Sequence, residues 1–177
     1  MRGNWRIVRE DHFPGCWSTS CRQRVTPVFE RNNHMFWFPV HYEGQECSKY
    51  IFYTGAVPNQ QVEPAMDWLA RHKSKEIFLV GTGPDYVFTH TVDYIAREEL
   101  WTKGAKVMGE ALIPYGAQDD ATVQEAVDAI KNAMPNGGSV FSSIFGYTNA
   151  KCAHRASGPG HRSRVARLPP PILPLCL

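Results

Sequence analysis

The sequence lacks any apolar run long enough to cross a bilayer, and its opening, MRGNWRIVREDHF, holds no hydrophobic stretch of the signal-peptide kind. Read alone, that opening predicts neither a membrane span nor export. Cysteine is scarce. The five, Cys16, Cys21, Cys47, Cys152 and Cys176, match no compact zinc spacing, and an odd number cannot all pair within one chain. Most are expected as free thiols, with Cys16 and Cys21 the one metal or disulfide candidate. Acids are missing from the last segment: residues 151–177 hold five Lys or Arg and no Asp or Glu. Taking those five from nineteen bases leaves fourteen against seventeen acids, so residues 1–150 carry about −3. A basic tail can be a nucleic-acid arm, but no phosphate-binding surface accompanies it, and no nucleic-acid partner is expected.

Catalytic constellations are also absent. His41 neighbours Tyr42 and Glu43, and Ser18 lies near Cys21, yet no nucleophile, base and orienting residue share a recognisable spacing. GTGPD has the look of a nucleotide glycine loop but lacks the third glycine and any following Lys–Ser/Thr. The sequence therefore predicts no enzyme, no cofactor and no metal site.

What is present is an alternation of helix and strand. At 177 residues and 43% hydrophobic, the chain can bury a core. Ser18 or Thr19 is placed to cap a helix reaching about Arg31, with Val25, Val28 and Phe29 inward and Pro27 interrupting its regularity. MFWFPV and IFYTG read as extended segments. VEPAMDWLARHK sets Val62, Met66 and Leu69 on one helical face, and Glu76–Gly81 reads as a strand buried on both faces. A third helix follows with Phe88, Val92, Ile95 and Leu100 in its stripe and Gly104 as its stop. KVMGEALIP is the next strand. A helix from Asp119 to Met134 carries Val123, Val127, Ile130 and Met134, and Ser139–Gly146 is the last strand. Helix and strand in this order make an α/β unit with right-handed crossovers. After YTNAK the pattern stops. Residues 151–177 are expected as a disordered extension or as a truncated or misframed end, with the folding part closing near Ala150.

Four stretches, GCWSTSCRQRVTPVFERNN, FWFPVHYEGQECSKYIFYTGAVPNQQVEPAMDWL, FLVGTGPDYVF and MPNGG, resemble the substrate-binding proteins of urea and short-chain amide ABC uptake systems. They are also similar to the amide sensor that regulates aliphatic amidase expression. The resemblance spans about Gly15 to Tyr147 and implies a partial type I periplasmic-binding-protein fold, a two-lobe α/β architecture with parallel sheets. On that basis residues 1–14 match nothing, 15–54 are the end of lobe one, 55–59 the crossover and 60–150 part of lobe two. The implied ligand is urea or a short aliphatic amide, the implied partner an ABC permease, and the implied place of the intact protein periplasmic. The alternative is a cytoplasmic sensor acting through a protein partner.

Urea and acetamide are planar and uncharged, so a site needs acceptors for NH₂ groups, a donor for the carbonyl and flat apolar walls. Glu43, set among rings, suits the acceptor; the alternative is a solvated loop carboxylate. By resemblance, Trp17, Ser18 and Thr19 form the lobe-one turn, with Thr19 where the sensor has a serine hydroxyl. An ordinary helix cap is the competing role. Phe38 and Val40 stand where the sensor has Tyr and Thr, and Tyr42 adjoins Glu43. Asp85 and Tyr86 follow a buried strand, where ligands of open α/β folds collect.

Overall fold

A computed structural model supplies the structure, which describes residues 12–83, 87–117, 119–144, 146–157 and 164–167. The chain divides into two compact units, with the break between Val57 and Pro58.

The first unit contains β1 (His12–Pro14), α1 (Thr19–Asn32), β2 (Met35–Phe38) and β3 (Ile51–Tyr53). Its strands form a parallel sheet in the order β1-β2-β3. Ser18 caps α1, its hydroxyl accepting from the Cys21 amide, and Asn33 ends the helix in the left-handed conformation at φ 52. Alternation along β2 buries Phe36 and Phe38 with Ile51, while Trp37 turns outward and stacks on Phe52. Val25 and Phe29 pack against this core, but Val28, expected inward, is 43% exposed. The inward stripe of α1 is Arg22, Val25 and Phe29, three and four residues apart, which leaves Val28 on the next face. Gly55 allows a close approach. A Cβ there would lie 2.0 Å from the Val40 carbonyl oxygen, which no other residue tolerates.

The second unit runs α2 (Pro58–His72), β4 (Glu76–Thr82), α3 (Val87–Thr102), β5 (Lys106–Ile113), α4 (Asp120–Ala133), β6 (Ser139–Ser142), α5 (Gly146–Ala156) and β7 (Arg164–Arg167). All neighbouring strands pair in parallel in the order β5-β4-β6-β7. Successive residues of β4 serve opposite faces: Ile77 and Leu79 join the core under α2 and α3, and Phe78 and Val80 join the core under α4 and α5. Asp119 caps α4, accepting from the Thr122 amide at 2.7 Å. Gly104, at φ +62, closes the turn after α3.

Of the two roles open to Cys16 and Cys21, the disulfide is the one formed, and among the described residues Cys47 and Cys152 are free thiols. One expectation needs correcting: regular structure does not end near Ala150. Helix α5 continues to Ala156, and β7 pairs with β6 from Ser139↔Arg164 to Ser142↔Arg167. Cys152, Ala153 and Ala156 are buried, the first and last in the core beneath α4; such small side chains bring the helix close while leaving little hydrophobic signal in the sequence. The last predicted strand is shorter than expected, because Gly146 already belongs to α5. The rest of the expected disordered tail lies outside the described residues.

Candidate functional site

The residues singled out from the sequence in the first unit meet around a side chain that sequence reading passed over. Arg22 sits one turn into α1 and is fully buried. Its Nη2 donates to Glu43 Oε2 at 2.7 Å and to Glu46 Oε1 at 2.9 Å, and its Nε donates to Glu46 Oε2 at 2.7 Å. Thr19, one turn earlier on the same face, donates its hydroxyl to Glu43 Oε1. Gln23 adds a donor to Glu46 at 3.0 Å. The loop between β2 and β3 is thus tied to the first turns of α1 by two carboxylates three residues apart.

Rings close the cluster. The Arg22 guanidinium carbon lies 4.7 Å from the Phe38 ring centre and 5.4 Å from that of Tyr42. Tyr42 stacks on Tyr53 at 4.3 Å between centroids, and Phe38 meets both edge-on. One Arg22 nitrogen, Nη1, is buried without a hydrogen-bond partner.

The electrostatics follow from this packing. Burial pulls the Arg22 guanidinium down, but the hydrogen bonds to Glu46 and Glu43 outweigh it and raise it. The Arg22 hydrogen bonds hold Glu46 below the usual carboxylate range. Burial, helped by the Glu46 charge, pushes the Tyr53 phenol up to about 12. Burial lowers His41 against the pull of Glu43, which keeps its imidazole neutral at pH 7. Two carboxylates paired to one guanidinium give the cluster a formal charge of −1.

The sequence-predicted residues therefore divide. Thr19, Phe38, Tyr42 and Glu43 come together around Arg22; Glu43 is buried, not a solvated loop carboxylate. Ser18 serves as the helix cap, Val40 is core, and Trp17 is exposed. Asp85 and Tyr86 lie outside the described residues. Arg22, Glu46 and Tyr53 were missed. The available signal was an arginine in line with Val25 and Phe29 on an otherwise apolar face. Among the described residues, no group of three His, Cys, Asp or Glu could hold a metal, and no helix is long and apolar enough to cross a membrane. A groove of about 710 Å³ in the second unit is lined by Arg97, Trp101 and residues 104–107, none of them a site residue expected from the sequence.

A family pattern described as "Periplasmic binding protein domain" matches residues 7–160. The chain belongs to this family. As a periplasmic binding protein it shares its fold with solute-binding proteins of ABC transporters, and members of this family are not enzymes. One structure, from Rhodopseudomonas palustris BisB5 in complex with 3,4-dihydroxybenzoic acid, has a TM-score of 0.74 at 17% identity. It covers 89% of this chain and 43% of its own. A branched-chain amino-acid binding protein from Burkholderia xenovorans LB400 gives 0.69 at 15% identity, covering 88% of this chain and 41% of its own. A benzoate complex from R. palustris gives 0.69 at 14%, with 83% and 40% covered. The chain thus spans about two fifths of the length of these structures and has a partial type I periplasmic-binding-protein fold.

Proposed function

We propose that this periplasmic binding domain belongs to a protein that captures urea or a short aliphatic amide for an ABC uptake system and delivers it to a membrane permease. The cluster at Arg22, Glu43 and Glu46 carries the reading. Each Glu43 oxygen receives one hydrogen bond from within the chain and keeps a lone pair for an NH₂ group. Thr19, its proton given to Glu43, offers a ligand only acceptor lone pairs. Arg22 Nη1 is the free donor for a carbonyl oxygen, and the Tyr42–Tyr53 stack supplies a flat wall.

Charge sets the ligand class. A cluster with one net negative charge repels the carboxylate of a benzoate, whereas a neutral amide meets no such penalty. Asp85 and Tyr86 remain candidate ligand contacts. The disulfide supports an extracytoplasmic setting, where such bonds persist, over a cytoplasmic amide sensor.

Calorimetric titration with urea, acetamide and benzoate tests this, on the purified chain and on a full-length family member with the same Thr19, Arg22, Glu43 and Glu46 arrangement. Binding of an amide, weakened about tenfold or more by Glu43→Gln, is the expected result. Benzoate binding without amide binding overturns it.

A further inference from the structure

The disulfide encloses the turn that launches α1. Between Cys16 and Cys21 lie Trp17, Ser18, Thr19 and Ser20, and Arg22 follows at once. Ser18 caps the helix through the Cys21 amide itself, at 3.3 Å, so the same cysteine is held by a hydrogen bond and a covalent bond. Cys16 has φ 63, a left-handed conformation that residues other than Gly and Asn avoid. A turn with that backbone needs something to hold it. The crosslink does so, together with the packing of Cys16 on the core of the first unit and the bond from the Gly15 amide to the Trp37 carbonyl at 3.4 Å.

We propose that the Cys16–Cys21 disulfide is a redox-sensitive clasp that sets the aim of Thr19 and Arg22 at the β2–β3 loop. Oxidised, it fixes the entry of the chain into α1, which presents the Thr19 hydroxyl to Glu43 and the Arg22 guanidinium to Glu43 and Glu46. Reduced, Cys16 leaves the left-handed region, the first turn of α1 loosens, and the loop loses its anchor. Both half-cystines are partly exposed, so a small dithiol can reach them. Its thiolate attacks one sulfur and forms a mixed disulfide, while the other cysteine departs as a thiolate and takes up a proton. The second thiol of the reductant then closes a ring and releases the first cysteine. Two electrons pass from the dithiol to the protein pair.

The clasp does not depend on the ligand class proposed above, because its test uses no ligand. Amide hydrogen exchange is followed on the full 177-residue chain, oxidised and in dithiothreitol, with thiol titration to establish that the pair has opened. Opening is expected to speed exchange about tenfold or more at Cys21 and Arg22, whose amides bond to Ser18, and at Tyr42, whose amide bonds to the Ala56 carbonyl, with β2 and β3 unchanged. Removing the reductant in air should restore protection. Cys16→Ser/Cys21→Ser should exchange fast at those amides with or without dithiothreitol; if it does not fold, the reductant series on the unsubstituted chain decides alone. Unchanged exchange after the two thiols are titrated overturns the proposal. So does an equal loss of protection in β2 and β3, which would make the bond a general staple of the unit.

Discussion

Arg22 illustrates how much one residue can concentrate. A buried guanidinium survives only when paired, and here two carboxylates and two rings surround it. Arg22→Met keeps the volume and removes the charge, leaving Glu43 buried opposite an apolar chain. The expected loss is about 3–5 kcal/mol in the first unit, read from denaturant unfolding. Glu46→Gln, at a carboxylate that is 26% exposed, should cost far less.

Asp93 behaves oppositely. Burial first, then the neighbouring Glu110, push its carboxyl up to about 8 against the pull of Arg97. The native state therefore keeps a proton that the unfolded chain releases near 3.8. Stability from this group is complete below that value and is lost as pH rises to about 8. Thermal melts should show a lower Tm at pH 8 than at pH 5, and Asp93→Asn should remove most of the difference. A pH-independent Tm in the parent chain would contradict the assignment.

At the scale of elements, α5 is the informative case. Its buried face, Thr148, Cys152, Ala153 and Ala156, holds no large hydrophobic residue, yet it packs against α4. Close approach needs small side chains, so enlargement should act as overpacking. Ala156→Leu is expected to destabilise the second unit by about 1–3 kcal/mol, measured as a shift in denaturant midpoint. Were α5 merely an appendage, the same substitution at this fully buried position would be silent. Much of the element pattern was legible because apolar periodicity is local: Val62, Met66 and Leu69 in α2, and Val123, Val127 and Ile130 in α4, repeat within a few residues. The α5 face was illegible for the opposite reason, since alanine and cysteine burial reports the neighbour's shape more than the residue's hydrophobicity.

At the scale of the whole molecule, the small first sheet carries one liability. Phe36 and Phe38 face the core, whereas Trp37 and Phe52 stack outward, 36% and 44% exposed. A paired aromatic patch on a sheet promotes association between copies. Trp37→Lys with Phe52→Thr should raise the solubility limit and reduce light scattering, while the unfolding midpoint shifts by no more than about 0.5 kcal/mol. Persistent scattering in that variant would point to another surface.

The candidate site was half visible. Glu43 and its rings stand out as a local cluster in one loop. Arg22 did not, because its partners lie 21 and 24 residues away and its place in line with Val25 and Phe29 does not say which carboxylates it meets. By itself the sequence determined the succession of helices and strands from α1 to β6, a property of short-range geometry. Only the tertiary structure decided that Cys16 and Cys21 bond, that α5 and β7 extend the second unit, and that the loop carboxylates turn inward to one arginine. Those outcomes depend on which distant groups desolvation forces together, and a charge or thiol finds its partner only once the chain has closed around it.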